Sequence, residues 1–235
     1  MLYCLGYGVF LKMPENKVFS KKCSCEKYFG KHILNFDYVN YGLKIDANLI
    51  NIPIKHHLKN TSKFIIMHGN VIIYKKKHIL IIGKSGIGKS SFTYYAVKKD
   101  KNIKFVADDT VFISKDDYKI YPCKCRPFLK RKGSNESYIP INQIFYNKID
   151  CEPSYIDKII YFDDHYLHKS LKKVEKYKKL NILIRNMWNP SINSLDVFSE
   201  IPLFVFNPQK YSKGLLLKNI KKGEYEKSKY FRCLF

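Results

Sequence analysis

Ile79-Leu-Ile-Ile-Gly-Lys-Ser-Gly-Ile-Gly-Lys-Ser-Ser91 decides how the rest of the chain is read. Ile79 to Ile82 is a short apolar run of the kind that forms a buried strand. Gly83, Gly86 and Gly88 permit a tight turn, and Lys89-Ser90 opens a stretch able to be helical. Gly83 and Gly88-Lys89-Ser90 satisfy the spacing G-x-x-x-x-G-K-[ST], the P-loop pattern. Its parts have separate physical tasks. The glycines allow positive φ and close backbone approach, so amides can converge on phosphate oxygens, and the following helix aims its positive dipole end at the same anion. Ser85, Gly86, Ile87, Gly88, Lys89, Ser90 and Ser91 are therefore expected to line a triphosphate, with Lys89 on the β- and γ-phosphates and Ser90 as a Mg²⁺ ligand. By residue frequencies alone the pattern arises in roughly 1 in 100 chains of this size.

Just downstream stands Ile103-Lys-Phe-Val-Ala-Asp-Asp-Thr-Val-Phe-Ile113. It reads as a short strand with Asp108-Asp109 at its carboxyl end. If that strand lies beside Ile79–Ile82 in a βαβ unit, both aspartates reach the phosphate crevice. Carboxylates there can hold Mg²⁺ or take a proton from an incoming hydroxyl. A solvated Asp-Asp turn is the plainer alternative. Asp116-Asp117 reads instead as a hairpin turn.

Upstream, Phe64 to Tyr74 reads as two strands joined by a tight turn at His68-Gly69, and Lys75-Lys-Lys-His78 turns the chain into the P-loop strand. The helix after the loop should run from about Lys89 to Lys98. Residues 1–60 read as a β-rich part of the same domain, with strands at Leu5–Met13, Val18–Cys25 and Ile33–Tyr41. His56-His57 is read as a solvated pair, because adjacent strand residues face opposite ways. Tyr121 to Lys132 is a Pro-punctuated segment that either reaches back to the site or is solvated loop. Tyr155 to Trp188 is read as helical on the spacing of Leu167, Leu171 and Val174, Ile201–Phe206 as a terminal strand, and the tail after Tyr211 as a helix. The fold class is mixed α/β.

The 235 residues suffice for one domain and carry a net charge of +23. Only Arg126, Arg131, Arg185 and Arg232 among the 43 basic residues are arginine, and the lysines are spread along the chain. Arginine is the residue suited to bidentate phosphate and base contacts, so nucleic acid is not the expected partner. An acidic partner steered by the field is. No apolar run reaches the roughly 18 residues of a membrane span, and the start lacks a basic n-region, so the expectation is a cytoplasmic protein without membrane contact. Seven cysteines, an odd number, fit reduced thiols. Cys23-Ser-Cys25 and Cys123-Lys-Cys125 lack the usual two-residue zinc spacing, and alternating strand positions explain them equally well.

His68-Gly69, the P-loop with Ser85 to Ser90, and Val106-Ala-Asp-Asp109 together resemble the kinase domain of HPr kinase/phosphorylase, within the phosphoenolpyruvate carboxykinase-like P-loop fold. The order and spacing of the three motifs agree over residues 64–115. A double aspartate one helix after the P-loop is typical of that family. The resemblance implies a P-loop kinase core over residues 61–235 that uses ATP and Mg²⁺. It implies that Lys89 and the loop amides grip ATP and that Ser90 and one aspartate, Asp108, serve the metal. Asp109 would act as base toward a serine hydroxyl, with His68 near the transferring phosphate. The Glu-rich signature that follows the double aspartate in HPr kinases is missing, the region reading Cys123-Lys-Cys-Arg-Pro-Phe-Leu-Lys130. The chain looks more like shortened relatives found with modified-peptide gene clusters, including lasso-peptide kinases, whose acceptor is a serine of a precursor peptide. The implied function is a Mg-ATP-dependent serine kinase acting on a peptide or small protein. The alternative is a P-loop protein that binds or hydrolyses nucleotide without phosphotransfer.

Overall fold

Long β-branched runs flank the glycine-rich loop, and they fold as strands buried on both faces. The computed structural model describes residues 2–6, 9–12, 32–34, 63–123, 128–132, 135–139, 144–145, 147–150, 152–188, 190, 195–223 and 225–226. Near the start, β1 (Leu2–Gly6), β2 (Val9–Lys12) and β3 (His32–Leu34) form a three-stranded sheet. Val18–Cys25 and His56-His57 lie outside the described residues, as do Cys23, Cys25, Cys125 and Arg126; Cys123 is buried.

The main sheet begins with β4 (Phe64–Tyr74) and β5 (Lys77–Gly83), followed by α1 (Lys89–Lys99), β6 (Ile103–Ala107) and β7 (Thr110–Ser114). After a two-stranded ribbon of β8 (Phe128–Lys132) and β9 (Asn135–Ile139) come β10 (Lys158–Phe162), β11 (Leu171–Lys173) and α2 (Lys176–Asn186). Then follow β12 (Leu203–Phe206), α3 (Lys213–Lys222) and β13 (Tyr225–Glu226). The order across the sheet is β13-β11-β12-β10-β5-β4-β6, with β7 also paired to β4. β12, β10 and β5 run parallel, whereas β4 is antiparallel to β5, β6 and β7. The fold is mixed α/β.

Alternate residues of one strand serve two cores. Ile79 and Ile81 join Phe92, Val97 and Leu216 on the α1/α3 side. Leu80 and Ile82 join Leu183, Met187 and Phe198 on the α2 side. A strand covered on both faces must be apolar throughout, which is why β5 reads as an unbroken run.

Several expectations change. Phe64–Tyr74 is one strand of 11 residues, not a hairpin. Gly69 is there for close approach: a Cβ would lie 2.8 Å from the Ile81 carbonyl oxygen. The turn is at Lys75-Lys76, both with positive φ (50 and 64), as a two-residue hairpin requires. Second, β6 is parallel to β5 but not beside it, because β4 fills the slot between them. Third, Tyr155–Trp188 is not one helix. Lys158–Phe162 is a sheet strand between β5 and β12, Leu171 is on β11, and Leu167 is 65% exposed. A four-residue apolar run, Ile159–Phe162, fits strand or helix by periodicity alone, and here the sheet claims it. Likewise Leu203–Phe206, expected as a terminal strand, lies inside the sheet between β10 and β11, and β13 follows it in the chain. The helices at 89–99 and 213–222 form where the sequence places them.

Lys158 carries a pH-dependent cost. Burial, with Lys77 adding to it, pulls its pKa down to about 8 against the weaker pull of Asp157. Below that pH both folded and unfolded chains hold the proton, and the burial cost is fully present. Between about 8 and the ordinary lysine value the unfolded chain binds more protons, so stability rises with pH. Lys158→Met should raise the melting temperature at pH 7 and flatten this alkaline gain, as thermal melts across pH 7–10 would read.

Candidate functional site

At the carboxyl end of β5, Gly83 (φ 147) passes so close to β10 that a Cβ would meet the Phe162 carbonyl oxygen at 2.8 Å. Gly86 (φ 78) and Gly88 (φ 105) are also left-handed, but a Cβ on either would meet nothing within 4 Å. The loop thus has an open concave side. Ile87 turns the other way, into the α1/α3 core, so of this residue only the backbone belongs to the loop. Gly88 precedes α1 with no side-chain cap, and the first turn carries no acidic residue. The first amides of α1 and its positive dipole end therefore suit an anion. Ser85 and Ser91 are exposed.

Lys89 is only 5% exposed. Its Nζ donates to the carbonyl oxygens of Gly83 (2.8 Å) and Lys84 (3.0 Å). Burial lowers its pKa to about 8, with Asp109 and Asp108 pulling the other way. The loop is occupied by its own ammonium, held where a phosphate's countercharge is wanted.

Across from the loop, β6 and β7 run along one edge of β4, interrupted at Asp108-Asp109 opposite Asn70 and Gly69. Asp109 has φ 63, a costly conformation for a residue with a Cβ. It is held there by the Gly69 N–H on its carbonyl (3.2 Å) and by the Thr110 hydroxyl on its carboxylate (3.2 Å). This kink separates the two side chains. Asp108 accepts from the Asn70 amide, which also donates to Thr93 Oγ1 (3.2 Å) and Ser90 Oγ (3.4 Å). Asp109 Oδ1 lies 3.5 Å from His68 Nε2, with its side chain 35% exposed. The Trp188 ring is 6.5 Å from the His68 ring, centroid to centroid.

The structure therefore gathers Ser90 and Asp108 on one side, and Asp109 and His68 on the other. Four residues of this region are not legible as such in the sequence. Asn70 is fully buried and joins Ser90, Thr93 and Asp108. An amide inside an otherwise apolar strand was its signal, hidden by reading His68-Gly69 as a turn. Asn186, at the end of α2, accepts from the Gly83 N–H at 3.0 Å. Asp164 follows β10 and pairs with the Lys84 ammonium, and its own loop is pinned by the Asn207 amide on the Asp164 and Tyr166 carbonyls (2.6 and 2.9 Å). Replacing Asn70 tests the hub: Asn70→Ala should cost about 1–3 kcal/mol in denaturant unfolding, because Thr93 and Asp108 lose a buried partner.

No protein-family model matches the chain. Over 131 residues it is 26% identical to the SPbeta prophage-derived sublancin-168-processing and transport ATP-binding protein SunT of Bacillus subtilis (strain 168). It matches the Bacillus phage SPbeta protein of the same description equally. The match takes in 52% of this chain and 18% of those proteins, so the chain spans under a fifth of the length of the curated relatives it matches. Among solved structures it is similar to the HPr(Ser) kinase/phosphatase from Coxiella burnetii, at 13% identity and a TM-score of 0.39, over 67% of this chain and 89% of that one. Likeness this distant carries no residue roles across. Among the described residues no helix is long and apolar enough to cross a membrane.

Proposed function

We propose that the chain is a Mg-ATP-dependent kinase that phosphorylates a serine hydroxyl of a peptide or small protein. The observation that carries this reading is the parting of Asp108 from Asp109. One carboxylate shares Asn70 with Ser90, and its neighbour faces His68 and solvent. The open side of Gly86 and Gly88, the uncapped start of α1 and the Lys89 ammonium are donors suited to a triphosphate. Ser90 and Asp108 are hard oxygen ligands of the kind Mg²⁺ takes. Bound there, the ion would neutralise charge on the phosphate oxygens.

Asp109 orients the acceptor hydroxyl and takes its proton. The serine oxygen forms the new P–O bond as the bond from the γ-phosphorus to ADP breaks. His68 holds the Asp109 carboxylate on the acceptor side. Lys89 exchanges the Gly83 and Lys84 carbonyls for phosphate oxygens, a trade of neutral acceptors for charged ones.

A second reading, a nucleotide-hydrolysing protein that regulates a partner, has one observation in its favour. Asp163-Asp164 ends the strand directly beside β5, where Phe162 pairs with Gly83, and a carboxylate there can orient water. Calorimetric titration with ATP tests the common ground: affinity should depend on Mg²⁺ and fall in Ser90→Ala. Binding indifferent to both would remove the nucleotide site altogether.

A further inference from the structure

Helix α2 carries two apolar stripes. Leu183 is buried against the sheet, beside the buried Lys179 and Asn186 side chains. On the opposite face Tyr177, Leu180 and Ile184, at i, i+3 and i+7, are 62%, 39% and 40% exposed. They are three of the six large apolar side chains exposed among the described residues. Scattered apolar surface needs no explanation, but a stripe at helical spacing on one face is the form of a docking site. At 3.6 residues per turn, Lys178 and Arg185 flank this stripe on one side and Lys176 on the other. The Lys178 ammonium lies 5.4 Å from the Tyr177 ring centre.

The stripe leads to the candidate site. Two residues after Ile184, Asn186 accepts from Gly83 N, Met187 bridges to Met67, and the Trp188 N–H donates to the Ile66 carbonyl at 2.9 Å. These contacts put the Trp188 ring against His68, which faces Asp109. The helix is also fixed from behind, its Lys179 ammonium donating to the Ser199 (2.8 Å) and Ile201 carbonyls. From Tyr177 to Ile184 the platform is about 10 Å long, the length of two helical turns.

We infer that the outer face of α2 docks the phosphate acceptor. The occupant is a polypeptide segment with apolar side chains at helical spacing and carboxylates beside them, ending near the serine that Asp109 receives. This rests on the kinase reading. The basic flanks select the acidic partner, and the continuity of α2 with Trp188 and His68 sets the direction in which the segment runs.

The full chain would be titrated with two synthetic serine-containing peptides rich in glutamate. One has leucines at i, i+3 and i+7, and the other has the same composition with that spacing scrambled. Binding would be read by anisotropy and by emission of Trp188, the single tryptophan of the chain. The patterned peptide should bind at least about tenfold more tightly and shift the Trp188 emission. The double variant Leu180→Asp/Ile184→Asp should lose that advantage while its melting temperature and Mg-ATP affinity hold. Equal binding of the two peptides, or undiminished binding by the variant, overturns the inference. So does a wild-type dimer that ignores both peptides and becomes monomeric in the variant, since the occupant is then a second copy. If neither protein binds Mg-ATP but the peptide preference persists and is lost in the variant, the kinase reading fails and the docking surface stands.

Discussion

Asp109→Asn should lower phosphotransfer by roughly 10²- to 10⁴-fold while leaving Mg-ATP affinity nearly unchanged. The substitution keeps size and hydrogen bonding and removes only the basic oxygen. The asparagine is also tolerant of the left-handed backbone that Asp109 adopts, so the kink between β6 and β7 should survive. Because Asp109 faces His68 and not Ser90, the loss should fall on turnover with acceptor and not on nucleotide binding. Asp108→Asn should behave differently. Its carboxylate shares Asn70 with Ser90, so that variant should shift the Mg²⁺ concentration needed for half-maximal activity. Single-turnover kinetics beside calorimetry separate the two effects. Near wild-type turnover in Asp109→Asn would remove it as the base.

Lys89→Met should weaken Mg-ATP binding by at least about thirtyfold, the loss expected when one member of a desolvated charge pair is truncated. The folded state should persist. Lys89 is buried although Lys84, Ser85 and Gly86 of the loop are exposed, and alanine would leave a gap beside Gly83. Methionine keeps most of the stem. Two opposing changes then act on stability: the Gly83 and Lys84 carbonyls lose their charged donor, and the burial cost that pulls Lys89 down to about 8 disappears. They should largely offset each other. A cooperative melt within a few degrees of wild type, together with lost nucleotide binding, is the expected pattern.

The phosphate loop was legible because its chemistry is local. Glycines at Gly83, Gly86 and Gly88 and the pair Lys89-Ser90 occur within eight residues, and the positive φ values follow from that spacing. The helices at 89–99 and 213–222 were legible for the same reason. What could not be read was decided by pairing over long sequence separations. Nothing near Phe64 says that β4 enters between β5 and β6, yet this brings Asn70 to Asp108, 38 residues away. Lys158–Phe162 carries the same apolar residues a helix could bury, and only its pairing with β5 and β12 makes it a strand. For that reason nothing in the sequence sets Asp163 and Asp164 beside the loop. Trp188 sits at the end of a helix whose start is 12 residues earlier, and its place beside His68 depends on the Met67–Met187 bridge.

The fate of the γ-phosphoryl group is the most direct test of the central claim. The protein would be incubated with γ-labelled Mg-ATP and a pool of acidic serine-containing peptides, and the label followed by mass spectrometry. Label on serine hydroxyls in the wild type, lost in Asp109→Asn although that variant still binds Mg-ATP, is the predicted result. Label recovered only as inorganic phosphate, at equal rates in wild type and Asp109→Asn, would contradict it and leave a hydrolase whose working carboxylate is elsewhere.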